Sequence, residues 1–153
     1  MARLFFRRRG RAEFTDGEID LVPLRGWSAD PDMKFGREYT YSITLHGSRR
    51  EIGQINIRLG ESPCVYYYGH IGYHIDPPWR GHHYAQKACR LAMPLLVLGG
   101  KTTAVITCDP DNLPSIRTCE ALGCELERTV AVPEWIRNRW SISAQKRRYI
   151  WRL

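Results

Sequence analysis

The sequence IDPPWRGHHYAQKACRLA, at residues 75–92, carries the chain from the end of a strand, through a tight corner, into a helix. Two adjacent prolines turn the chain directly after a β-rich run. Residues 82–98 are long, apolar and without strand alternation, which predicts a helix. Pro94 is expected to kink or shorten this helix, and Gly99-Gly100 is expected to end it.

The corner between this strand and this helix, residues 76–83, has the chemistry of an anion site. The N-terminus of a helix offers up to about four free N–H groups and a positive end of roughly half a charge. Arg80 adds a permanent cation with a planar fork, and His82, His83 and Lys87 add further donors. A diphosphate fits this chemistry. An ordinary tight turn is the alternative that the corner alone leaves open.

Strands are predicted on both sides of the corner, and their order indicates the architecture. A second helix is expected to begin at Asn112 or Ser115, with Pro114 in its first turn, and to end at Gly123. The order β-β-β-β-α-β-α-β-β predicts a mixed α/β layer in a single domain over residues 1–153. The predicted strands are 18–24, 38–45, 50–59, 65–75, 102–108, 125–132 and 146–153, with 38–59 a hairpin, 26–36 a loop or single helical turn, and 133–145 a long connection.

The composition bounds the class of protein. With 43% apolar and 25% charged residues in 153, the chain suits a soluble globular domain. No apolar run approaches the roughly 20 residues of a membrane span, and no secretory signal is recognisable, so we expect a cytoplasmic protein without a membrane partner. Five cysteines, an odd number without a CxxC motif, favour reduced thiols. The net charge of +7 permits an anionic ligand. We expect the basic cluster Arg7, Arg8, Arg9 and Arg11 to be a solvated arm and not a nucleic-acid arm.

Two stretches resemble the GNAT superfamily of acyl-CoA-dependent N-acetyltransferases, and are most similar to the branch that includes the ribosomal-protein N-terminal acetyltransferases. They are GHIGYHIDPPWRGHHYAQKACRLA (69–92) and CDPDNLPSIRTCEALGCELER (108–128). The family loop Q/R-x-x-G-x-G/A corresponds here to Arg80-Gly81-His82-His83-Tyr84-Ala85. The second signature, N-x-x-S-x-x-x-x-x-L-G, is met by Asn112, Ser115, Leu122 and Gly123.

The resemblance implies a fold and a co-substrate. The fold is a mixed sheet of about seven strands, splayed between the fourth and fifth, with few helices and short or missing helices between the first two strands. Acetyl-CoA is the implied co-substrate, its pyrophosphate on the amides of the loop Arg80–Ala85. The implied pantetheine partners are the backbone groups of Tyr73 and Ile75 in the splay, together with Asn112.

One residue departs from the family loop. His83 replaces the central glycine, whose lack of a Cβ allows close approach of the backbone. We expect His83 to take the helical φ that is open to any residue. Either its side chain turns away from the ligand, or His82 and His83 replace the lost backbone contact with ring N–H donors.

The resemblance also suggests residues for acid–base chemistry. Ser115 is the candidate acid for the leaving thiolate, with a helix cap as the alternative role. Cys119 occupies the position of a tyrosine acid in many relatives, with a small core residue as the alternative. No glutamate base is present near Gly69. The adjacent His70 is the candidate base, directly or through water, with a packed or exposed strand histidine as the alternative. No metal site is expected, since no cysteine or carboxylate completes a ligand set with the histidines.

The sequence therefore predicts an N-acetyltransferase that moves an acetyl group from acetyl-CoA to a primary amine of a small molecule or a polypeptide N-terminus. The alternatives are a toxin of the same fold that acetylates aminoacyl-tRNA, and a non-catalytic acyl-CoA-binding module. Few residues separate the first two strands, which indicates an open acceptor site. A bulky acceptor or a second protomer of a homodimer would complete it, and Trp135 and Trp140 either line it or lie on the surface or at a dimer contact.

Overall fold

The computed structural model describes residues 10–26 and 28–153, so Arg7, Arg8 and Arg9 of the basic cluster lie outside the described residues. The described part forms one eight-stranded sheet in the order β1-β2-β3-β4-β5-β6-β8-β7. The strands are Phe14–Thr15 (β1), Ile19–Pro23 (β2), Glu38–Leu45 (β3), Glu51–Arg58 (β4), Ile71–Ile75 (β5), Thr103–Cys108 (β6), Glu125–Ala131 (β7) and Gln145–Arg152 (β8).

Neighbouring strands are antiparallel with one exception, which lies in the middle of the sheet. β5 and β6 run parallel and share a single paired position, Ile71 with Ile106. These two strands correspond to the fourth and fifth predicted strands, because β1 was not expected. The predicted mixed sheet with few helices and a splay at this place is confirmed.

Helices cover both faces of the sheet. They are Pro63–Tyr68 (α1), Tyr84–Leu98 (α2), Leu113–Ala121 (α3) and Glu134–Trp140 (α4), with 3-10 turns at Pro31–Met33 and Pro77–Trp79. α2 and α3 pack on one face over the larger core cluster, which includes Ile55, Ile71, Ala92 and Ile106. α1, α4 and the first 3-10 turn pack on the opposite face around a smaller cluster, which includes Phe35.

The prediction of one continuous strand over 65–75 was wrong, because its first half is helix α1. Ser62 caps this helix by accepting a hydrogen bond from the Val65 N–H at 3.2 Å, and Pro63 occupies the first turn. Gly69, at a φ of 79°, ends it. These end signals outweigh the β preference of three consecutive tyrosines, so the strand begins only at Ile71.

The predicted connection 133–145 also contains an unexpected helix, α4. Pro133 directly precedes it, and Ser141 ends it in the left-handed conformation at a φ of 53°. Ile136 is fully buried in the smaller cluster and fixes the helix against the sheet. A seven-residue helix with one buried side chain has too short an apolar period to be recognised from sequence.

Helix α2 runs through Pro94 without being shortened. Pro94 removes a hydrogen bond to the carbonyl of Arg90, but both residues are exposed, so that carbonyl is accessible to water. The helix ends where it was predicted to end, with the Gly99 N–H donating to the Leu95 carbonyl at 3.0 Å.

Candidate functional site

The gap between β5 and β6 is the first part of the candidate site. The His70 N–H donates to the Val105 carbonyl at 2.8 Å, and within the described residues the last paired position is Ile71 with Ile106. On the other side of β5, the Asp76 N–H donates to the Ile52 carbonyl at 2.8 Å. Because hydrogen-bonding directions alternate along a strand, the backbone groups of Tyr73 and Ile75 then point into the gap.

One of these backbone groups is occupied by the chain itself. The Ile75 carbonyl accepts a hydrogen bond from Nε of Arg80 at 2.8 Å. This bond fixes the base of the Arg80 side chain beside the gap and leaves the outer guanidinium nitrogens in solvent, since Arg80 is exposed. The strand end and the corner are thereby held as one unit.

The corner makes a sharper turn than the sequence suggested. Gly81 has a φ of 87° and His83 a φ of 63°, and α2 begins directly afterwards at Tyr84. The expected right-handed φ for His83 was therefore wrong. The chain must reverse between the 3-10 turn and α2, and the left-handed region that accomplishes this is open to glycine without cost.

The N-terminus of α2 is open to a ligand. His83 is its N-cap residue and makes no side-chain capping hydrogen bond. The first N–H groups, including those of Tyr84 and Ala85, are thus left without a capping partner from His83. His82 and His83 are exposed, and the His82 ring lies 5.3 Å from the Tyr84 ring.

A cleft of about 580 Å³ adjoins the corner on the outer side of α2. One cation that lines the cleft, Lys87, is already paired with carboxylates, since its Nζ lies 2.6 Å from Glu18 Oε2 and 3.8 Å from Asp16 Oδ2. Lys87 is therefore a weaker candidate for a phosphate partner than Arg80. The cleft is lined by Asp16, His83, Gln86, Lys87, Arg90 and Leu91.

Helix α3 brings Ser115 to the gap from the α2/α3 face. Asn112 caps the helix by accepting from the Ser115 N–H at 3.3 Å, so the Ser115 hydroxyl does not act as the cap. That hydroxyl instead lies 2.9 Å from the hydroxyl of Tyr73. Ser115 also contacts the thiol of Cys108 at the end of β6, so it stands between the two splayed strands.

The Tyr73 side chain is a functional candidate that the sequence analysis missed. Its strand places the side chain on the same face as Ile71 and Ile75, where it packs with the larger core cluster. Burial raises the pKa of Tyr73 well above its usual range. The sequence signal that could have identified the Tyr73 side chain is strand alternation, which predicts that side chains at 71, 73 and 75 face the helices.

The Cys119 thiol is not exposed at the gap, as a general acid acting there would be. Its side chain is fully buried. Its hydrogen bond with Cys108 raises the pKa of Cys119, and a second hydrogen bond with Cys124 and burial act in the same direction. This geometry fits the alternative of a small core residue. The acid role of Cys119 stays a prediction, and the burial of its thiol does not favour that role.

His70 has no ring nitrogen available for an acceptor amine. Its Nδ1 accepts a hydrogen bond from the Val105 N–H at 2.9 Å, so the proton of the neutral ring sits on Nε2. Nε2 lies 2.8 Å from Glu61 Oε1, and Glu61 also pairs with Lys101. Burial lowers the pKa of His70, which favours the neutral ring. The arrangement fits the alternative of a packed strand histidine.

Arg58 is a second residue that the sequence analysis missed. It is buried on the α1/α4 face of β4, and its Nη1 donates to the carbonyls of Tyr68 and Gly69 at 3.2 and 3.1 Å. A Cβ added at Gly72 would lie 2.8 Å from Nη2 of Arg58. The guanidinium thus ties the end of α1 to β4 and packs beside Gly72 of β5.

The two tryptophans of α4 lie together near the residues that precede β3. Trp140 donates through Nε1 to Asp30 Oδ2 at 3.0 Å, and the Trp135 and Trp140 ring centroids are 6.1 Å apart. Trp135 is 55% exposed. The pair therefore borders the short wall between β2 and β3, with Trp135 as its accessible member.

Within residues 10–26 and 28–153, no group of three or more His, Cys, Asp or Glu side chains could hold a metal ion. No helix in this part of the chain has the length and apolar character needed to cross a membrane.

Comparison with known proteins gives one family and several similar folds. The family model of the acetyltransferase (GNAT) domain matches residues 8–125. No curated protein matches the sequence. An acetyltransferase from Agrobacterium tumefaciens superposes with a TM-score of 0.64 at 18% identity, covering 100% of this chain and 99% of that one.

Two structures of RimL, the ribosomal L7/L12 α-N-protein acetyltransferase, are also similar. The apo form has a TM-score of 0.61 at 13% identity, covering 89% of this chain and 91% of that one. The complex with coenzyme A, in which CoA forms a disulfide with a cysteine of RimL, has a TM-score of 0.58 at 19% identity, covering 78% and 64%. At such identities these likenesses establish a shared fold.

Proposed function

Because the chain belongs to the acetyltransferase (GNAT) family, we propose that it transfers an acetyl group directly from acetyl-CoA to a primary amine. The observation that carries this proposal is the combination of a splayed strand pair with an uncapped helix N-terminus at its open end. An acyl donor with a long amide-bearing arm and a diphosphate requires both features, side by side.

The corner would hold the diphosphate. The free N–H groups at the start of α2 and the positive helix end attract an anion. The outer nitrogens of Arg80 add a charge-assisted partner, and the bond from its Nε to Ile75 fixes their position. The loop residues Gly81, His82, Tyr84 and Ala85 supply the surrounding backbone. A coenzyme A complex of a protein with the same fold, RimL, supports this assignment.

The gap would hold the pantetheine arm. The arm carries two amides, and the backbone groups of Tyr73 and Ile75 face the gap with the spacing of alternate strand residues. The carbonyl of Ile75 has two lone pairs, so it can accept from an arm amide while it keeps its hydrogen bond from Arg80. Asn112, the N-cap residue of α3, is the further candidate for holding the arm.

The reaction needs a hydrogen-bond donor at the sulfur. The amine lone pair attacks the thioester carbon, the new C–N bond forms, and the C–S bond breaks with its electron pair on sulfur. The amine loses one proton and the thiolate finally gains one. Ser115, whose hydroxyl lies beside that of Tyr73 at the gap, would donate to the sulfur as negative charge develops there, which is an interaction made mainly in the transition state.

The acceptor that the site suits best is a polypeptide N-terminus. Only a 3-10 turn, Pro31–Met33, stands between β2 and β3 in the described residues, so the wall on that side is short. The exposed ring of Trp135 borders this open side and offers an apolar surface for the first side chain of a peptide. RimL, which shares the fold, is named as an α-N-acetyltransferase of a ribosomal protein.

Thiol release from acetyl-CoA tests the proposal. We expect release with peptides that have a free N-terminus and none with the same peptides already acetylated there. Small amines and aminoacyl-tRNA complete the panel. Release with aminoacyl-tRNA alone would replace the peptide proposal by the toxin alternative. Calorimetric binding of CoA without release from any acceptor would leave only a binding module.

A further inference from the structure

The hydrogen bond between Tyr73 and Ser115 joins the two sides of the gap. Tyr73 belongs to β5 and Ser115 to the first turn of α3, and their hydroxyl oxygens are 2.9 Å apart. They are 42 residues apart in the chain. The contact therefore exists only because the sheet and the helix are assembled around the gap.

The direction of this hydrogen bond follows from acidity. A phenol, with a reference pKa of about 10, is a far better donor than an aliphatic hydroxyl, whose oxygen is the better acceptor. The geometry of the two hydroxyls allows either direction, and on the ground of acidity we assign Tyr73 as the donor to Oγ of Ser115. The proton of Ser115 is then available to a second acceptor, and the Cys108 thiol is such an acceptor in this structure. The sulfur of a bound thioester would have to replace that thiol.

Tyr73 does not itself lose its proton. Burial raises the pKa of Tyr73, because a phenolate in this core would be poorly solvated. Cys89 and Cys119 lie near it and offer no compensating cation. A fixed neutral hydroxyl can orient a neighbour throughout a reaction cycle, whereas a proton shuttle would have to charge and recover.

We propose that Tyr73 is a positioning residue for acetyl transfer, whose hydroxyl holds Ser115 with its proton directed at the sulfur of the bound thioester. The inference rests on the proposed function. It adds a side-chain role to a residue whose backbone alone was expected to matter. It also accounts for the absence of a tyrosine at the position of Cys119, since the hydroxyl comes from the strand instead of the helix.

The chemistry requires no additional reactant. As the C–S bond breaks, its electron pair goes to sulfur, and the Ser115 O–H donates a hydrogen bond to that sulfur. Tyr73 keeps its own proton and its hydrogen bond to Oγ. The thiolate leaves stabilised and takes its proton from solvent, while the amine loses one proton to solvent, so the count of protons is unchanged.

A double-mutant cycle tests the connection through Ser115. Tyr73→Phe keeps the ring and removes the hydroxyl, and we expect kcat to fall about tenfold with little change in KM for acetyl-CoA. In the Ser115→Ala background the same change should have almost no effect, because the group that it orients is gone. Equal effects in both backgrounds would overturn the inference.

The matched control is Tyr41→Phe. Tyr41 is a buried tyrosine of the same core cluster against which the partly buried Tyr73 packs, and its hydroxyl donates to Glu13 Oε2 at 2.8 Å. Its loss should cost stability without changing kcat. If Tyr41→Phe lowers kcat as much as Tyr73→Phe, the effect is a general loosening of the core and the inference fails.

A second readout needs no acceptor. The thiolate absorbance of bound CoA, taken as the difference between bound and free protein, measures the ionised fraction of the thiol at a fixed pH. Ser115 held by Tyr73 stabilises this thiolate. At pH values below the pKa of the bound thiol, Tyr73→Phe should therefore lower the ionised fraction about tenfold. Absence of CoA binding by the wild type would refute the proposed function itself. Binding with the same ionised fraction in both proteins would refute only the role of Tyr73.

Discussion

The corner at residues 76–83 and the centre of the gap around Tyr73 and Ser115 are built by different means. The corner is contiguous in sequence and offers mainly backbone N–H groups, which any residue supplies once the turn is made. The centre consists of side chains from β5, β6 and α3, which meet only in the folded protein. In the proposed function, binding therefore depends on local sequence, whereas catalysis depends on tertiary contacts.

The largest effect should come from the centre. Ser115→Ala removes the hydroxyl that we propose to face the sulfur, and we expect kcat to fall by about ten- to a hundredfold, with little change in KM for acetyl-CoA. Cys119→Ala, one turn further along α3, should lower kcat less, because its thiol is buried. Steady-state kinetics with circular dichroism as a folding check measures both. If Cys119→Ala abolishes turnover and Ser115→Ala does not, the two roles are reversed.

Substitutions in the corner should change the affinity for CoA and not the rate of the chemical step. Arg80→Glu places a negative charge beside the diphosphate and should weaken CoA binding at least about tenfold by calorimetry. Arg152→Glu makes the same charge change at an exposed residue of β8, which pairs with Glu125. We expect it to leave binding nearly unchanged. Equal weakening by both variants would mean that net charge, and not the corner, attracts CoA.

Much of the fold could be predicted from the sequence, because its signals are local. The hairpin β3–β4, the ends of α2 and the cap of α3 by Asn112 each depend on alternation or end residues within a few positions. Helices α1 and α4 were missed for the opposite reason. Each is a short segment whose apolar or tyrosine content resembles a strand or a loop until its caps and buried contacts are known.

The candidate site divides in the same way. The anion corner was predicted from adjacent residues, although the left-handed φ of His83 was not. The contacts of His70 with Glu61 and of Tyr73 with Ser115 were not predicted, because local patterns do not show which residues 9 or 42 positions apart meet in the fold. The sequence has no glutamate beside Gly69, and the carboxylate that contacts His70 belongs to Glu61, nine residues before His70 in the chain.

The pH dependence of the free energy of unfolding should show whether the buried His70 contributes to stability as a neutral side chain. Its pKa is lowered in the folded protein by burial, so the unfolded chain binds a proton first as the pH falls below about 6.5. The stabilisation is therefore complete above that pH and is lost as the pH falls through the folded pKa. Urea unfolding between about pH 7 and 5 should give a steeper loss for the wild type than for His70→Gln. Identical slopes for the two proteins would show that His70 does not cause this pH dependence.

The smallest effect, at His83, distinguishes the two roles that the sequence left open. A histidine at a φ of 63° carries a backbone cost that glycine avoids, but glycine loses more freedom on folding, so His83→Gly should change stability by no more than about 1 kcal/mol, in the stabilising direction. Lys34→Gly is the matched control, because Lys34 also has a left-handed φ, 50°, at the end of the first 3-10 turn and outside the corner. Both variants should gain similar stability in urea. CoA affinity should stay the same or rise for His83→Gly and stay the same for Lys34→Gly, since removing the Cβ allows a closer approach of the diphosphate. If His83→Gly instead weakens CoA binding while Lys34→Gly does not, the His83 ring donates to the ligand, and the corner binds through side chains as the centre does.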